Sequence, residues 1–333
     1  MKINEPVTAG KLMFSNPVIM PPMATAKADS KGHITEEALN YYREKTSCRL
    51  FSAVIVEHSY VDPAGKAHEN QNSISNDSDI QGMSRLSQVI KESGAISVLQ
   101  ISHSGSMARE KVIGQKPLAP SALINPGAKN GEMPVQLTRE QIEELENRFV
   151  DAAERAMKAG FDAVEIHSAH GYLLDQFLSP LTNKREDEYG GDVNGRIRMH
   201  LNIIEAIRKK MGDFPIFVRM GAGDYMEGGL SREDSVTAAK AFVKAGADVI
   251  DVSGGLCFYT IADTRPGYFD TIAEPIHKVV DVPVILTGGV RTAQDIEDIL
   301  NRDVCSLVGV GRSVFRDSQW MEDQLASLLR EKE

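Results

Sequence analysis

The segment HSAHGYLLDQFLSP, His167 to Pro180, sets two imidazoles and a phenol within six consecutive positions, directly after the apolar run DAVEI. Imidazole and phenol are side chains of proton transfer. Imidazole is also a metal ligand, and either ring can simply pack, so the segment alone leaves acid–base, metal and packing readings open. Other apolar runs end on groups of the same kind: SAVIVEH ends at His58, LQISH carries Gln100 and His103, and FVRMG carries Arg219. A guanidinium in an apolar run requires an anion. That anion is either a ligand or an internal partner, Glu165 or Asp251, whose alternation along their own runs also turns them inward. TGGV and GVGR supply Gly288, Gly289, Gly311 and Arg312. Backbone amides of this sort suit a phosphate, although either motif alone reads equally well as a tight turn.

The elements that must position these groups are short β-branched runs separated by helical segments. The runs are PVIM, SAVIVEH, ISVLQIS, DAVEIHS, PIFVRMG, DVIDVSG, VPVILTGG and SLVGVG. TREQIEELENRFVDAAERAMKAG opens with Thr138 and Gln141 in capping-box spacing and ends at Gly160; SREDSVTAAKAFVKAG runs from Ser231 to Gly246 with acids in its first turn. TAQDIEDILNR follows TGGV, and SQWMEDQLASLLREKE closes the chain as a last helix. Eight strand–helix units without a Pro/Gly/Ser-rich linker predict an α/β fold, one closed (β/α)8 TIM barrel forming a single domain over residues 1–333. Strand C-terminal ends in such a barrel converge on one mouth. That mouth gathers Pro22, Met23, Ala24, His58, Gln100, His103, His167, His170, Tyr172, Arg219 and Ser253, with Gly288, Gly289, Gly309, Gly311 and Arg312 on the strand-seven and strand-eight side. Both glycine motifs together, at the fold's usual phosphate position, favour a phosphorylated ligand. The set holds no lysine, which weighs against Schiff-base chemistry. The long connections 104–137 and 179–194, with GLCFYTIADTRPGYF after strand six, are expected to shape the substrate mouth. His33, His68, His200 and His277 lack such context and read as surface or packing residues.

A formal net charge of -10 with no Lys/Arg block argues against a nucleic-acid substrate. The N-terminus lacks a basic start with an apolar h-region, and no apolar run reaches about 18 residues, so an unprocessed protein without a membrane segment is expected. Cys48, Cys257 and Cys305 are odd in number and widely spaced, fitting neither a disulfide framework nor a metal motif; a reducing cytoplasm is the simplest setting. No GxxxxGK[ST] occurs, and too little chain follows GVGRSV to complete a Rossmann unit of about 30 residues.

With HSAHGYLLDQFLSPLTNKREDEYGG as its most specific piece, supported by PPM, LQISHSG, VRMGAGDY and GVGRSVFRD, the chain resembles the old yellow enzymes over almost its whole length. These are FMN-dependent ene-reductases on a (β/α)8 barrel. The resemblance implies that His167 and His170 hydrogen-bond the carbonyl oxygen of an α,β-unsaturated substrate and that Tyr172 donates the proton. It places Gln100 at the flavin pyrimidine edge, Arg219 beside flavin N1, and Pro22, Met23 and Ala24 along the isoalloxazine, with His58 meeting the flavin through its backbone. Gly288, Gly289, Gly311 and Arg312 would hold the phosphate. NADH or NADPH would reduce the flavin and leave before the enone binds, a ping-pong scheme, and related barrels commonly form homo-oligomers. Ala24 departs from the Cys or Thr usual there, though Thr25 is adjacent, and His58 stands where relatives are commonly small. The iron–sulfur segment and further dinucleotide domain of longer relatives are not found before Glu333, so hydride is expected from a diffusing NAD(P)H.

Two readings of other classes compete. Imidazoles of His58, His103, His167 and His170 could converge as ligands of a metal-dependent hydrolase. Residues three apart on a strand face opposite sides, however, so HSAH reaches one ligand only if the chain turns after His167, and no carboxylates can be assigned to orient the ligands. A non-catalytic FMN-binding barrel would leave Tyr172, Gln100 and Arg219 together at strand ends without a reason. Among flavin barrels, the acidic charge disfavours an RNA-modifying reductase, and the lack of an obvious catalytic Cys or Ser loop disfavours a pyrimidine dehydrogenase.

Overall fold

The structure, a computed structural model, describes residues 1–330. Eight parallel strands close into a barrel in chain order. They are β1 (Val18–Met20), β2 (Ala53–Tyr60), β3 (Ile96–Ser102), β4 (Ala163–Ser168), β5 (Ile216–Gly221), β6 (Val249–Ser253), β7 (Val284–Thr287) and β8 (Leu307–Gly309). All eight runs expected from the sequence become these strands. They are buried along nearly their whole length, as strands covered on both faces must be. The outer ring is built mainly from Glu36–Lys45, Ile80–Lys91, Arg139–Lys158, Arg198–Met211, Arg232–Ala245, Asp270–His277, Ala293–Asn301 and Trp320–Arg330. The cap signals act as written: Thr138 and Gln141 exchange side-chain to backbone bonds, and Ser231 accepts the Asp234 amide at 3.0 Å. The expected closing helix starts at Trp320; positions 331–333 of that segment lie outside the described residues.

Alternation along the strands divides the barrel interior into layers. The layer at the N-terminal end is apolar: Ile19, Ile55, Val98, Phe217 and Leu307 form part of one buried cluster with Leu12 and Phe14. Leu12 and Phe14 belong to an antiparallel hairpin, Val7–Ala9 with Leu12–Phe14, that packs into this cluster. The next inward positions are polar, Gln100, Glu165, Arg219 and Asp251, all buried. This second layer is the floor of the site.

The two long connections are tied to one another. Arg185, 7% exposed, donates Nη1 to the carbonyl oxygens of Pro120 at 2.9 Å and Leu137 at 2.7 Å, while its Nη2 pairs with Asp187 at 2.6 Å. One side chain of the 179–194 connection thereby fastens the 104–137 connection at two points.

Candidate active site

The chemistry-bearing segment after β4 turns as HSAH requires. The strand ends at Ser168; His170 then adopts φ +60° and Gly171 φ +72°, which brings His170 back beside His167. A left-handed conformation at a non-glycine residue is uncommon and needs support from its surroundings. Here the His170 amide donates to the Gly254 carbonyl at 3.1 Å, and the Gly171 amide to Asp175 Oδ2 at 2.7 Å. Gln176 Nε2 donates to the Gly171 carbonyl at 2.5 Å, and Asn125 Nδ2 to the same oxygen at 3.1 Å. Burial pushes the Asp175 carboxyl well up, with Asp224 adding to the effect. Tyr172 caps the buried helix Leu173–Leu178. The His167 and His170 ring centroids are 5.1 Å apart, and those of His167 and Tyr172 are 4.9 Å apart.

Burial holds both imidazoles well below the usual histidine range, with neighbouring imidazoles and Arg219 adding to the effect. The same desolvation pushes the Tyr172 phenol up. At neutral pH the site therefore presents two uncharged imidazoles and a protonated phenol. His170 and Tyr172 are half-buried, ringed by protein yet open to the cavity. His170 Nε2 contacts Ser253 Oγ at 2.8 Å, whereas His167 Nδ1 is buried without a partner.

His58 reaches the same cluster because the β2–β3 register shifts between Val56 and Ser59. A bulge of this kind re-aims side chains. His58 lies 6.2 Å from His167 and 5.4 Å from Tyr172, ring to ring, and its Nδ1 contacts Gln71 Nε2 at 2.6 Å. Desolvation, with His68 and Arg219 contributing, lowers its pKa to about 3. Glu57 points elsewhere and accepts from the Thr25 amide and hydroxyl at 2.6 and 2.5 Å, anchoring the Pro22–Ala24 segment by its end.

On the floor, Gln100 Nε2 donates to Glu165 Oε1 at 2.7 Å, leaving the amide oxygen to accept from a ligand. Arg219 Nη1 is 3.2 Å from Asp251 Oδ2, and Nη2 is 3.5 Å from Ser253 Oγ. The internal partner that the sequence left open for Arg219 is therefore Asp251. The guanidinium still lines the cavity, and its Nε is buried without a partner.

The cavity has a volume of about 520 Å³ and is lined by Pro22, Met23, Ala24, His58, Gln100, His167, His170, Tyr172, Arg219, Gly288, Gly289, Gly309, Gly311 and Arg312; of the residues that the sequence gathered at the mouth, His103 and Ser253 are not in its lining. A volume in this range is that of a cofactor or substrate pocket. Its glycines differ in what they permit. A Cβ on Gly289, which has φ +72°, would meet the Arg265 carbonyl oxygen at 2.4 Å, whereas one on Gly311 would find Pro21 Cγ at 3.4 Å, an ordinary contact.

Two expectations are corrected, one for His103 and one for the long connections. His103 does not join the other histidines at the cavity: its Nδ1 accepts the Gly105 amide at 3.0 Å. Among the described residues no three His, Cys, Asp or Glu side chains converge to hold a metal. Neither long connection lines the cavity; they buttress it instead, as Asn125 does at Gly171. The loop after β6 supplies the lining they do not, through Phe258, Tyr259 and Tyr268, with Arg312 Nη2 3.3 Å from the Tyr268 hydroxyl. Loop aromatics carry no periodic signal, and their place was legible only as part of the mouth after strand six. Glu165 and Asp251 share strand-face parity with His167 and Ser253, and that parity was the available signal for the floor.

A closed parallel barrel with this cavity at its C-terminal mouth is the architecture of a (β/α)8-barrel enzyme. Residues 2–328 match the NADH:flavin oxidoreductase / NADH oxidase family, and the chain belongs to it, among the old yellow enzymes. It is 36% identical over 319 residues to the NADH oxidase of Thermoanaerobacter brockii, covering 93% of this chain and 48% of that one. It thus spans about half the length of that relative. It is 34% identical to the NADPH dehydrogenase of Geobacillus thermodenitrificans, covering 95% of this chain and 91% of that one. An old yellow enzyme homologue from Zymomonas mobilis superposes with a TM-score of 0.81 at 26% identity, covering 94% of this chain and 89% of that one.

The residues present fit the FMN that this family implies. Pro22, Met23 and Ala24 form a largely apolar side; Gln100 and Arg219 offer an acceptor and a cation; and Arg312 with the tightly packed Gly289 backbone suits a phosphate. Arg219 Nε, His167 Nδ1 and Thr287 Oγ1, all buried without partners in or beside the cavity, are the kind of unsatisfied groups that a ligand completes.

Proposed function

We propose that this protein is an ene-reductase, a single FMN-binding barrel that takes hydride from diffusing NADH or NADPH and reduces the C=C bond of α,β-unsaturated carbonyl compounds. When bound, FMN supplies the two-electron chemistry, accepting hydride from the nicotinamide and returning it to the substrate β-carbon. The observation that carries the reading is the arrangement of His167, His170 and Tyr172, brought together by the turn after β4 and all uncharged.

A neutral imidazole retains one N–H, so His167 and His170 can hold a carbonyl oxygen between them. Negative charge grows on that oxygen as the β-carbon is reduced, and donors already in place stabilise the transition state more than the ground state. Tyr172 stays protonated and is the proton donor to the α-carbon. Gln100, Arg219 and Arg312 bind and orient the cofactor, and Pro22, Met23 and Ala24 keep water from one side of it. One mouth, lined in part by Phe258, Tyr259 and Tyr268, serves nicotinamide and enone alike, which supports a ping-pong order. No helix among the described residues is long and apolar enough to cross a membrane. The three free cysteines suit a reducing cytoplasm.

The visible spectrum of the purified protein, with FMN added back, tests the flavin; protein that takes up no FMN overturns the reading. Tyr172→Phe is expected to leave flavin reduction by NAD(P)H intact and to slow reoxidation by 2-cyclohexenone roughly 100-fold. Unchanged reoxidation removes Tyr172 from the proton-donor role.

A further inference from the structure

One layer below the histidines lies a cluster whose two carboxyls, Glu165 and Asp251, this mechanism does not use. Arg219 on β5 stands in register with His167 on β4 and with Asp251 on β6. Glu165 lies on β4, one inward position below His167. Glu165 and Asp251 have no solvent exposure, and Gln100 and Arg219 are 1% and 3% exposed. The 3.2 Å approach of Arg219 Nη1 to Asp251 Oδ2 is a contact of charges without hydrogen-bond alignment. Both Asp251 oxygens and Glu165 Oε2 are buried without a hydrogen-bond partner.

Two carboxyls and one guanidinium therefore share a dry floor. Fully ionised, the cluster would carry one net negative charge out of contact with water, a costly arrangement. The groups that bear on the pair are each carboxyl on the other, Arg219 from β5 and the neutral Gln100 from β3. Arg219 in turn depresses His58, His167 and His170 above it. Burial, reinforced by Asp251, pushes Glu165 well up, while burial raises Asp251 only to about 6 against the pull of Arg219. Near neutral pH the pair thus retains one proton, and its remaining charge balances Arg219. A further proton leaves the guanidinium unopposed.

We propose that Glu165 and Asp251 are a charge-regulating pair for Arg219: Asp251 masks the guanidinium while the bound ring is oxidised, and the pair binds a proton from water when negative charge arrives on the ring. The proposal rests on the flavin reading of the cavity. Its balance is explicit. Hydride from NAD(P)H delivers two electrons and one hydrogen nucleus, NAD(P)+ leaves, and the ring keeps one added negative charge beside Arg219. The compensating proton comes from bulk water to the carboxyl pair, where it forms an O–H bond and breaks none in the ligand. Neither carboxyl touches the reacting atoms; both act through Arg219.

The test uses the FMN-loaded protein in weak buffer with a pH indicator, reduced anaerobically with NADPH, and a spectroscopic titration of its reduction potential. Wild-type protein is expected to take up a measurable fraction of a proton per FMN at pH 7. Asp251→Asn is expected to abolish that uptake and to raise the reduced-to-oxidised ratio at fixed potential about tenfold, or about 30 mV for two electrons. Asp251→Glu, which keeps the carboxylate, restores both toward wild type. A wild type that takes up no proton between pH 6 and 8 overturns the proposal whatever the variants do. So does uptake that persists in Asp251→Asn with the potential unmoved. Failure of the flavin reading appears earlier and separately, as protein that binds no FMN.

Discussion

The two inner layers of the barrel follow opposite rules. The layer at the N-terminal end, Ile19, Val98, Phe217 and Leu307 with Phe14 of the hairpin beneath, is apolar and asks nothing of a ligand. One inward position higher on β3 to β6 stand Gln100, Glu165, Arg219 and Asp251, as deeply buried but charged or polar and incompletely hydrogen-bonded. The first layer contributes stability through apolar burial, at roughly 25 cal/mol per Å². The second gives some of that stability up to hold charges in place, an arrangement that clusters at functional sites. One barrel therefore carries its foundation and its chemistry in adjacent layers of the same strands.

The contrast can be broken from either side. The largest effect is expected at the foundation. Phe217→Ala should cost about 3–5 kcal/mol of stability, read as a lower denaturant midpoint, while the folded fraction keeps its FMN affinity. Loss of FMN from folded Phe217→Ala protein would show that the layers are not separable. Next comes the phosphate side. Gly289→Ala forces a left-handed alanine against the Arg265 carbonyl, a strain of about 2–3 kcal/mol, and should weaken FMN binding at least tenfold. Gly311→Ala, with room for its methyl, should stay within about threefold of wild type; equal losses at both glycines would erase the distinction drawn between them.

Acid stability sharpens the comparison further. His200 is buried, contacts Ser168 Oγ at 2.7 Å behind the site, and has its pKa lowered to about 3 by burial. The unfolded chain binds a proton near pH 6.5 that native His200 refuses until about pH 3, so its contribution is full above 6.5 and is lost as pH falls toward 3. Asp251, raised to about 6, acts with the opposite sign: it stabilises at low pH, and that contribution is lost as pH rises through 6. His200→Asn should therefore flatten the acid limb of the stability profile, by about 2 kcal/mol at pH 5 relative to pH 8, measured by urea unfolding. An unchanged slope would place the acid sensitivity in other groups.

Of the histidines given no site context, His200 is a packing residue, and His33 is a surface residue 3.2 Å from Asp29. His68 is a half-buried packing residue, its ring 5.7 Å from that of His58 and its Nε2 buried without a partner. The glycines, histidines and arginines of the cavity were legible because each terminates an apolar run, and a barrel converts strand ends into neighbours. The individual place of Tyr268 within the loop after strand six, the particular bonds of Asp175 and Gln176 to the turn, and the passive part played by the two long connections were not legible. Each depends on contacts between segments that no local pattern links.

By itself the sequence determined the eight strands, four of the enclosing helices and most of the residues that stand at the mouth. Hydrophobic period and cap chemistry are local, and closure into a barrel follows from their repetition. Only the tertiary structure decided the rest: that Arg219 meets Asp251, that His170 folds back onto His167 through a left-handed residue, and that His103 stays outside. Those outcomes depend on distances of 3 to 6 Å across neighbouring strands, where desolvation and charge pairing act and spacing along the chain is silent.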